Sequence, residues 1–432
     1  MKIQFLFLFF LFTNLICAQN YTSYFTGSST DVVTNPIGGI CLMGGASEND
    51  EAMKWFLNRT DGGDILVIRA SGSDGYNDYF FSELGVNVNS VETIVFHNAL
   101  ASTENYIHQR INQAEAIWIA GGDQWNYVNY WRGTPIDNLI NTAIEERNIV
   151  IGGTSAGMAI QGKFYFSAEN GTVTTTTALN DPYDENVTID STKFLKNKYL
   201  KEVITDTHYD NPDRRGRHMT FLARILTDYG IEAKGIACNE FTSVCIDNNG
   251  IAKVYGEYPQ YDEFAYFIQT NCELDERTPE NCSPGNPLLW NLNNEAVKVY
   301  KVPGTLSGNN FLDLKDWKTG SGGSWFNWYI DNSGFNENFS NTLNCVVSET
   351  EEINQVNINL FPIPSKNFIV IQTKNFVPEN IQIQNIKGQI LVEKNQIQES
   401  TIHLDIEQLP EGVFLIKIKT QEGHIVKKFV KN

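Results

Sequence analysis

NIVIGGTSAGMAIQG, residues 148–162, decides the fold. The β-branched run Ile149-Val150-Ile151 reads as a buried strand, two glycines end it, and a helix-compatible stretch opens at Ser155. Gly153-Thr154-Ser155-Ala156-Gly157 is therefore a strand–turn–helix elbow, which lifts a serine Oγ above the carboxyl edge of a sheet. Glycines are needed there because a strained turn brings backbones close and leaves no room for Cβ atoms. The helix N-terminus behind Ser155 offers N–H groups to a developing oxyanion. A plain glycine-rich turn with an idle serine has the same letters, so the surroundings must choose.

Working outward, IGGICLMGG (37–45), DILVIRA (64–70), VETIVF (91–96) and AIWIAGG (116–122) repeat the buried-strand pattern. Helical stretches at 49–59, 102–114 and 136–147 separate them, giving βαβ units and a mostly parallel sheet covered on both faces. Ligand sites in such sheets lie beyond the carboxyl ends of the strands. TVTTTTALN (172–180) is polar and β-prone, a hairpin or flap. KEVITD (201–206), a helix near 216–229 and GIACNE (235–240) resume the alternation, and 243–270 finishes in antiparallel strands. Residues 285–345 read as a decorated extension of the same domain.

A serine nucleophile needs a base. Of the 6 histidines, His97 and His208 follow strands; His208, in TDTHYD, is the first candidate and His97 the second. Glu240, at the end of GIACNE, is the preferred orienting carboxylate, because Asp206 and Asp210 flank His208 too closely in sequence. Gly121-Gly122-Asp123-Gln124 supplies a third signal, since two glycines at a strand end let the backbone approach a substrate.

The chain ends in a different texture. After the acidic linker 348–355 come seven short alternating runs, an all-β sandwich over 356–432. Basic and acidic residues nearly balance there, so the net charge of -19 belongs to the body. That acidity argues against a nucleic-acid partner and suits either a cationic ligand or the solubility of an exported protein. Lys2, the apolar run 3–11 broken only by Gln4, and small Ala18 make residues 1–18 a signal peptide. Ile16 is too bulky for lipidation at Cys17, and no later apolar run nears the ~20 residues that span a bilayer. Of the remaining cysteines, Cys272 and Cys282 would close the loop NCELDERTPENC as a disulfide, whereas Cys41 and Cys245 read as buried thiols. Paired CxxC or HExxH spacing, the mark of a zinc site, does not occur.

Taken together, GGDQ (121–124), GGTSAGM (152–158), D-T-H (206–208) with RGR (215–217), and NEFT (239–242) resemble the cyanophycinase and aspartyl dipeptidase family of serine peptidases. The resemblance covers about 36–270 of a domain spanning 19–347, with 271–347 as an extension. It implies a three-layer αβα sandwich similar to class I glutamine amidotransferases. It also implies Ser155 as nucleophile, His208 as base, Glu240 as third member, and Gly122 and Ala156 N–H groups as oxyanion hole. Gln124, Asp206, Arg215 and Arg217 match substrate-contacting positions, and no metal or organic cofactor is called for. The implied substrate is cyanophycin, a polyaspartate carrying arginines, cleaved to β-aspartyl-arginine. Short Asp-containing peptides, or an inactive binding protein on the same scaffold, are the alternatives. The family reads Asp-Gln-His where Thr207 stands, has a shorter gap than DNPD (210–213) allows, and has an arginine in place of Thr220. These departures spare the triad and bear on polymer specificity. NLFPIPS (359–365), LPEGVFLIKIKT and the terminal VKKFVKN resemble the C-terminal sorting domain of type IX secretion cargo, which implies export to the medium or cell surface.

Overall fold

The computed structural model describes residues 19–344, 358–373, 377–385, 389–395, 397, 399–420 and 423–432. The expected signal peptide and linker lie outside these residues. The chain divides into two compact units after Cys345.

The first unit is built on a ten-stranded sheet. At its centre Ser90–Phe96, Asp64–Arg69, Ala116–Ile119, Val150–Thr154 and Gly39–Met43 lie parallel in that spatial order. These are the runs whose unbroken apolar character marks strands buried on both faces. Alternate residues divide between two cores. Cys41, Met43, Ile65, Val67 and Trp118 face the helix Asp50–Asn58, while Ile40, Leu42, Leu66, Ile68 and Ile119 face the helices Asn105–Gln113, Gln124–Trp131 and Pro135–Glu146. Helices thus cover both faces of the sheet. Antiparallel strands extend it at both edges: Tyr21–Gly27 beside Ser90–Phe96, and Ser243–Ile246 beside Gly39–Met43.

Val203–Asp206 and Lys234–Cys238 do not join that sheet. They pair in parallel with each other and begin a second, six-stranded one, whose remaining strands are antiparallel. The period of two is visible in its burial. Ile236, Cys238, Ala265 and Phe267 join the main core, and Ala237, Tyr266 and Ile268 pack toward the helix Arg215–Tyr229. The segment read as decoration also takes part in both sheets: Val297–Pro303 and Ser324–Asp331 continue the second, and Asn310–Asp313 the first. Its Asn- and Gly-rich turns hid short strands.

Two further expectations change. Thr175–Asn180 is a helix, because Thr174 Oγ1 accepts the Thr177 N–H (3.1 Å) and caps it against the β propensity of threonine. Cys272 is disulfide-bonded, but Cys282 carries a free thiol, so the bridge across 272–282 is not formed. Cys41 and Cys245 are buried thiols with sulfurs 3.6 Å apart.

The second unit has seven strands among its described residues, in sheets of three and four. Ile369, Ile371, Ile381, Ile383, Ile402, Leu404, Ile416 and Ile418 form its core at alternating positions.

Trp118 is fully buried, edge-on to Phe56 and Phe80. Trp118→Ala is expected to cost about 3–5 kcal/mol, seen as a lower urea midpoint for the first unit.

Candidate active site

Ser155 leaves the strand Val150–Thr154 at φ 51°, ψ -115°, outside the regions open to ordinary L residues. Two contacts hold it there. Its N–H donates to the Met43 carbonyl (3.0 Å), and its own carbonyl accepts from Ala159 (2.9 Å), which closes the first turn of the helix Ala156–Ala159. Gly157 makes the turn possible, because a Cβ there would sit 2.0 Å from the Ile119 carbonyl oxygen.

His208 follows Val203–Asp206 and is also left-handed, at φ 46°. Its N–H donates to the Gly44 carbonyl (2.8 Å). Glu240 follows Lys234–Cys238; its N–H donates to Asp210 Oδ1 (2.9 Å), and the next residue, Phe241, donates to the Gly45 carbonyl (3.1 Å). The side chains then meet in line. Ser155 Oγ lies 2.8 Å from His208 Nε2, and His208 Nδ1 lies 2.7 Å from Glu240 Oε1. Asn211 Nδ2 donates to the other Glu240 oxygen at 3.3 Å. Asp210 and Asn211 belong to the DNPD stretch, which thus grips both the backbone and the carboxylate of Glu240. The His208 hydrogen bond is the main cause holding the Glu240 carboxyl below its usual range.

The remaining sequence candidates fall in different places. Gly121 passes beside Ser155, its would-be Cβ 3.6 Å from Ser155 Cβ, and Tyr127 Oη anchors the turn at 2.9 Å from both the Ala120 and Gly121 carbonyls. Gly122 follows in that turn, and Ala156 is the first helical residue after Ser155. Gln124 Nε2 donates to the Phe166 carbonyl (3.4 Å). Arg215 is half-buried over the Phe335 ring and paired with Asp213 (2.8 Å) and Glu337 (3.2 Å). Asp206 and Arg217 are buried and form a two-point ion pair with each other, 2.9 and 2.5 Å. In this pair each charge meets the other. His97 bonds Thr22 Oγ1 (2.8 Å) on the edge strand, and His218 is fully buried, its pKa pushed down to about 4 mainly by burial. Among the described residues no group of three or more His, Cys, Asp or Glu is arranged to hold a metal.

Sequence reasoning missed two features. Gly44-Gly45, at the end of the strand Gly39–Met43, supply the two carbonyls that fix His208 and Phe241, and a Cβ on Gly45 would lie 2.4 Å from His208 Nε2. Their position at a strand's carboxyl end was the available signal. The second is a cleft of about 810 Å³ that meets the Ser155–His208–Glu240 line at Glu240, although Ser155 and His208 do not line it. Glu48, Asp50, Glu51, Asp210, Glu257, Asp262 and Glu263 line it with Glu240, beside Phe241, Tyr261 and Leu306, and without a Lys or Arg. Burial is the main cause raising the Glu48 and Glu263 carboxyls above their ordinary values. The acids come from segments far apart in the chain, the start of the helix Asp50–Asn58, residues 210 and 240, and 257–263, so no single motif announces the cluster.

Comparison with known proteins adds the family. Residues 69–254 match Peptidase family S51, and residues 359–432 match the secretion system C-terminal sorting domain. A cyanophycinase of Geminocystis herdmanii is 24% identical over 229 residues, 50% of this chain and 77% of that protein. A cyanophycinase of Trichormus variabilis is 23% identical over 177 residues, and the matched part spans about half, 53%, of its length. The crystal structure of a peptidase from an acI-B1 Actinobacterium aligns over 54% of this chain and 94% of its own, with a TM-score of 0.38 and 13% identity.

A carboxyl held low in the folded state favours folding only while ionised. That contribution is complete above the ordinary glutamate value, about 4.3, and is lost as pH falls through the folded value. The Tm difference between the parent and Glu240→Gln is therefore expected to be largest near neutrality and to narrow below about pH 4, read by thermal melts across pH.

Proposed function

We propose that this chain, which carries a peptidase family S51 domain at 69–254 and a secretion sorting domain at 359–432, is an exported serine-type peptidase that cleaves arginine-bearing aspartyl polymers of the cyanophycin type. The observation that carries the reaction type is the continuous Ser155–His208–Glu240 hydrogen-bond line, 2.8 and 2.7 Å. Ser155 Oγ attacks the scissile carbonyl carbon while His208 Nε2 takes its proton. Glu240 accepts from Nδ1–H, which keeps the imidazole in the tautomer whose Nε2 is free to receive a proton. The tetrahedral oxyanion is received by the N–H groups of Ala156 and Gly122. His208 then returns the proton to the leaving amine, and water hydrolyses the acyl-serine by the same route in reverse. Every step uses groups of this chain.

The substrate class rests on charge. Eight carboxylates around a cleft at Glu240 whose lining includes no Lys or Arg suit a guanidinium-bearing chain, with Glu51 also paired to Lys54 (2.7 Å) and Glu240 to His208, and Phe241 and Tyr261 offer faces on which a guanidinium can stack. Distant similarity to cyanophycinases points the same way. Uptake of free acidic dipeptides through Arg215 or Arg217 would compete with carboxylates already in place, Asp213 and Glu337 on Arg215 and Asp206 on Arg217. The sorting domain implies passage through the type IX machinery to the medium or cell surface. Among the described residues no helix is long and apolar enough to cross a membrane.

The test is hydrolysis of purified cyanophycin by the mature chain, with Ser155→Ala as control. Release of β-aspartyl-arginine is expected from the parent and a fall of about four to six orders of magnitude in kcat from the variant; equal rates would overturn the mechanism. The cleft is tested separately with Glu257→Gln/Asp262→Asn. KM for the polymer should rise several-fold with kcat unchanged, and added salt should weaken parent binding more than variant binding.

A further inference from the structure

Asp206 and Arg217 lie beside the catalytic histidine without facing solvent: their side chains are 3% and 4% exposed. Both carboxylate oxygens of Asp206 are occupied, by Arg217 Nε and by an Arg217 terminal nitrogen, and Oδ1 also accepts the Thr207 N–H at 2.8 Å. The Thr207 carbonyl is held from the other side by Arg214 (3.0 Å). Thr207, the residue immediately before His208, is thus held at both its backbone polar groups. A left-handed non-glycine residue such as His208 persists only where its surroundings over-determine it, and this clamp does so.

Arg217 reaches further. Its other terminal nitrogen donates to Thr172 Oγ1 (3.4 Å) and the Val173 carbonyl (3.2 Å), and its guanidinium lies 5.3 Å from the Phe166 ring centroid. The Phe166 carbonyl in turn accepts from Gln124, at the start of the helix that follows the Gly121-Gly122 turn. A contiguous set of contacts therefore runs from the turn beside Ser155 to the base.

We propose that Asp206 and Arg217 are positioning residues, which fix the Thr207–His208 backbone and tie it through 166–173 to the turn beside the nucleophile, and are not substrate ligands. This rests on His208 as the base. A buried pair would have to open before either residue could touch a substrate, and opening would strand a charge at the foot of the base.

Three readouts on the full mature chain separate the possibilities. The first is the His208 Nδ1–H proton resonance in ¹⁵N-histidine-labelled protein, assigned by its absence from His208→Gln, which reports position without any reaction. The second is the rate at which a small fluorophosphonate labels Ser155. The third is the division of the effect between kcat and KM on cyanophycin. The variants are Arg217→Lys and the doubly neutral Asp206→Asn/Arg217→Met, which leaves no lone buried charge if the single change misfolds. The expected result for the double variant is a folded protein with the imidazole resonance shifted or broadened. Labelling should be at least about tenfold slower and kcat lowered to match, with KM within about twofold, and Arg217→Lys should lie between it and the parent. An unchanged resonance and labelling rate, with KM raised tenfold, would overturn the proposal in favour of substrate contact. Unchanged resonance, labelling and KM with only a lower Tm would overturn it in favour of a purely structural pair. Should parent Ser155 not be labelled at all, the serine mechanism fails, and the imidazole resonance still decides the positioning claim.

Discussion

The left-handed backbone of Ser155 is the constraint around which the first unit is arranged. A non-glycine residue at φ 51°, ψ -115° costs on the order of 1–3 kcal/mol, so it needs rigid supports on either side. One support is the buried strand Val150–Thr154, hydrogen-bonded in parallel on both edges, to Ala116–Ile119 and Gly39–Met43. The other is the helix Ala156–Ala159, which approaches so closely that residue 157 must be glycine. The serine hydroxyl consequently leaves the sheet at one fixed place, beyond the carboxyl ends of three parallel strands.

In the proposed mechanism, catalysis by that hydroxyl needs a second structure held to the first. His208 and Glu240 come from the ends of two strands of the other sheet, whose connection to the first sheet must hold to a fraction of an ångström. Gly44 and Gly45 perform that junction. Their carbonyls, at the end of a strand of the first sheet, accept from His208 and Phe241, which belong to the second. The absence of a Cβ on Gly45 lets the imidazole lie against the backbone. The same strand end also gives the Met43 carbonyl to Ser155. One short segment, 43–45, therefore sets the serine, the histidine and the loop of the carboxylate relative to one another.

What the sequence disclosed follows from how local its causes were. Runs such as Ile149–Ile151 and Ile65–Ile68 announce strands buried on both faces, and period-two isoleucines announce the C-terminal sheets, because burial is written residue by residue. The elbow was legible for the same reason: its glycines answer collisions within a few residues. Membership of a sheet is a long-range property. Nothing within 203–206 or 234–238 says that they start a second sheet, and nothing in the Asn-rich 285–345 tract says that its strands complete both. The motif around Asp206 and Arg217 carried their identity but not their burial, which depends on 166–175 folding over them. Cys272 and Cys282 were misjudged on proximity in sequence, a weak guide once the nine residues of loop between them can turn their sulfurs apart.

Where the negative charge sits bears on how to understand it. Spread over a surface, an excess of acids keeps an exported protein soluble at little cost. Eight carboxylates around one cleft are a different arrangement, since like charges in a partly desolvated space repel, and burial of Glu48 and Glu263 raises both carboxyls toward protonation. Solubility alone gives no reason to accept that repulsion when open surface was available. A cation entering the cleft would relieve it, lowering those same carboxyls and gaining attraction from every acid at once. The Glu48 hydroxyl contact from Tyr76, and the backbone N–H of Glu257 donated to Glu263 (2.6 Å), hold the acids in place before any ligand arrives. Preorganised charge of this kind favours a substrate that brings several positive groups over one that brings a single group, since each additional contact is made without further ordering of the site.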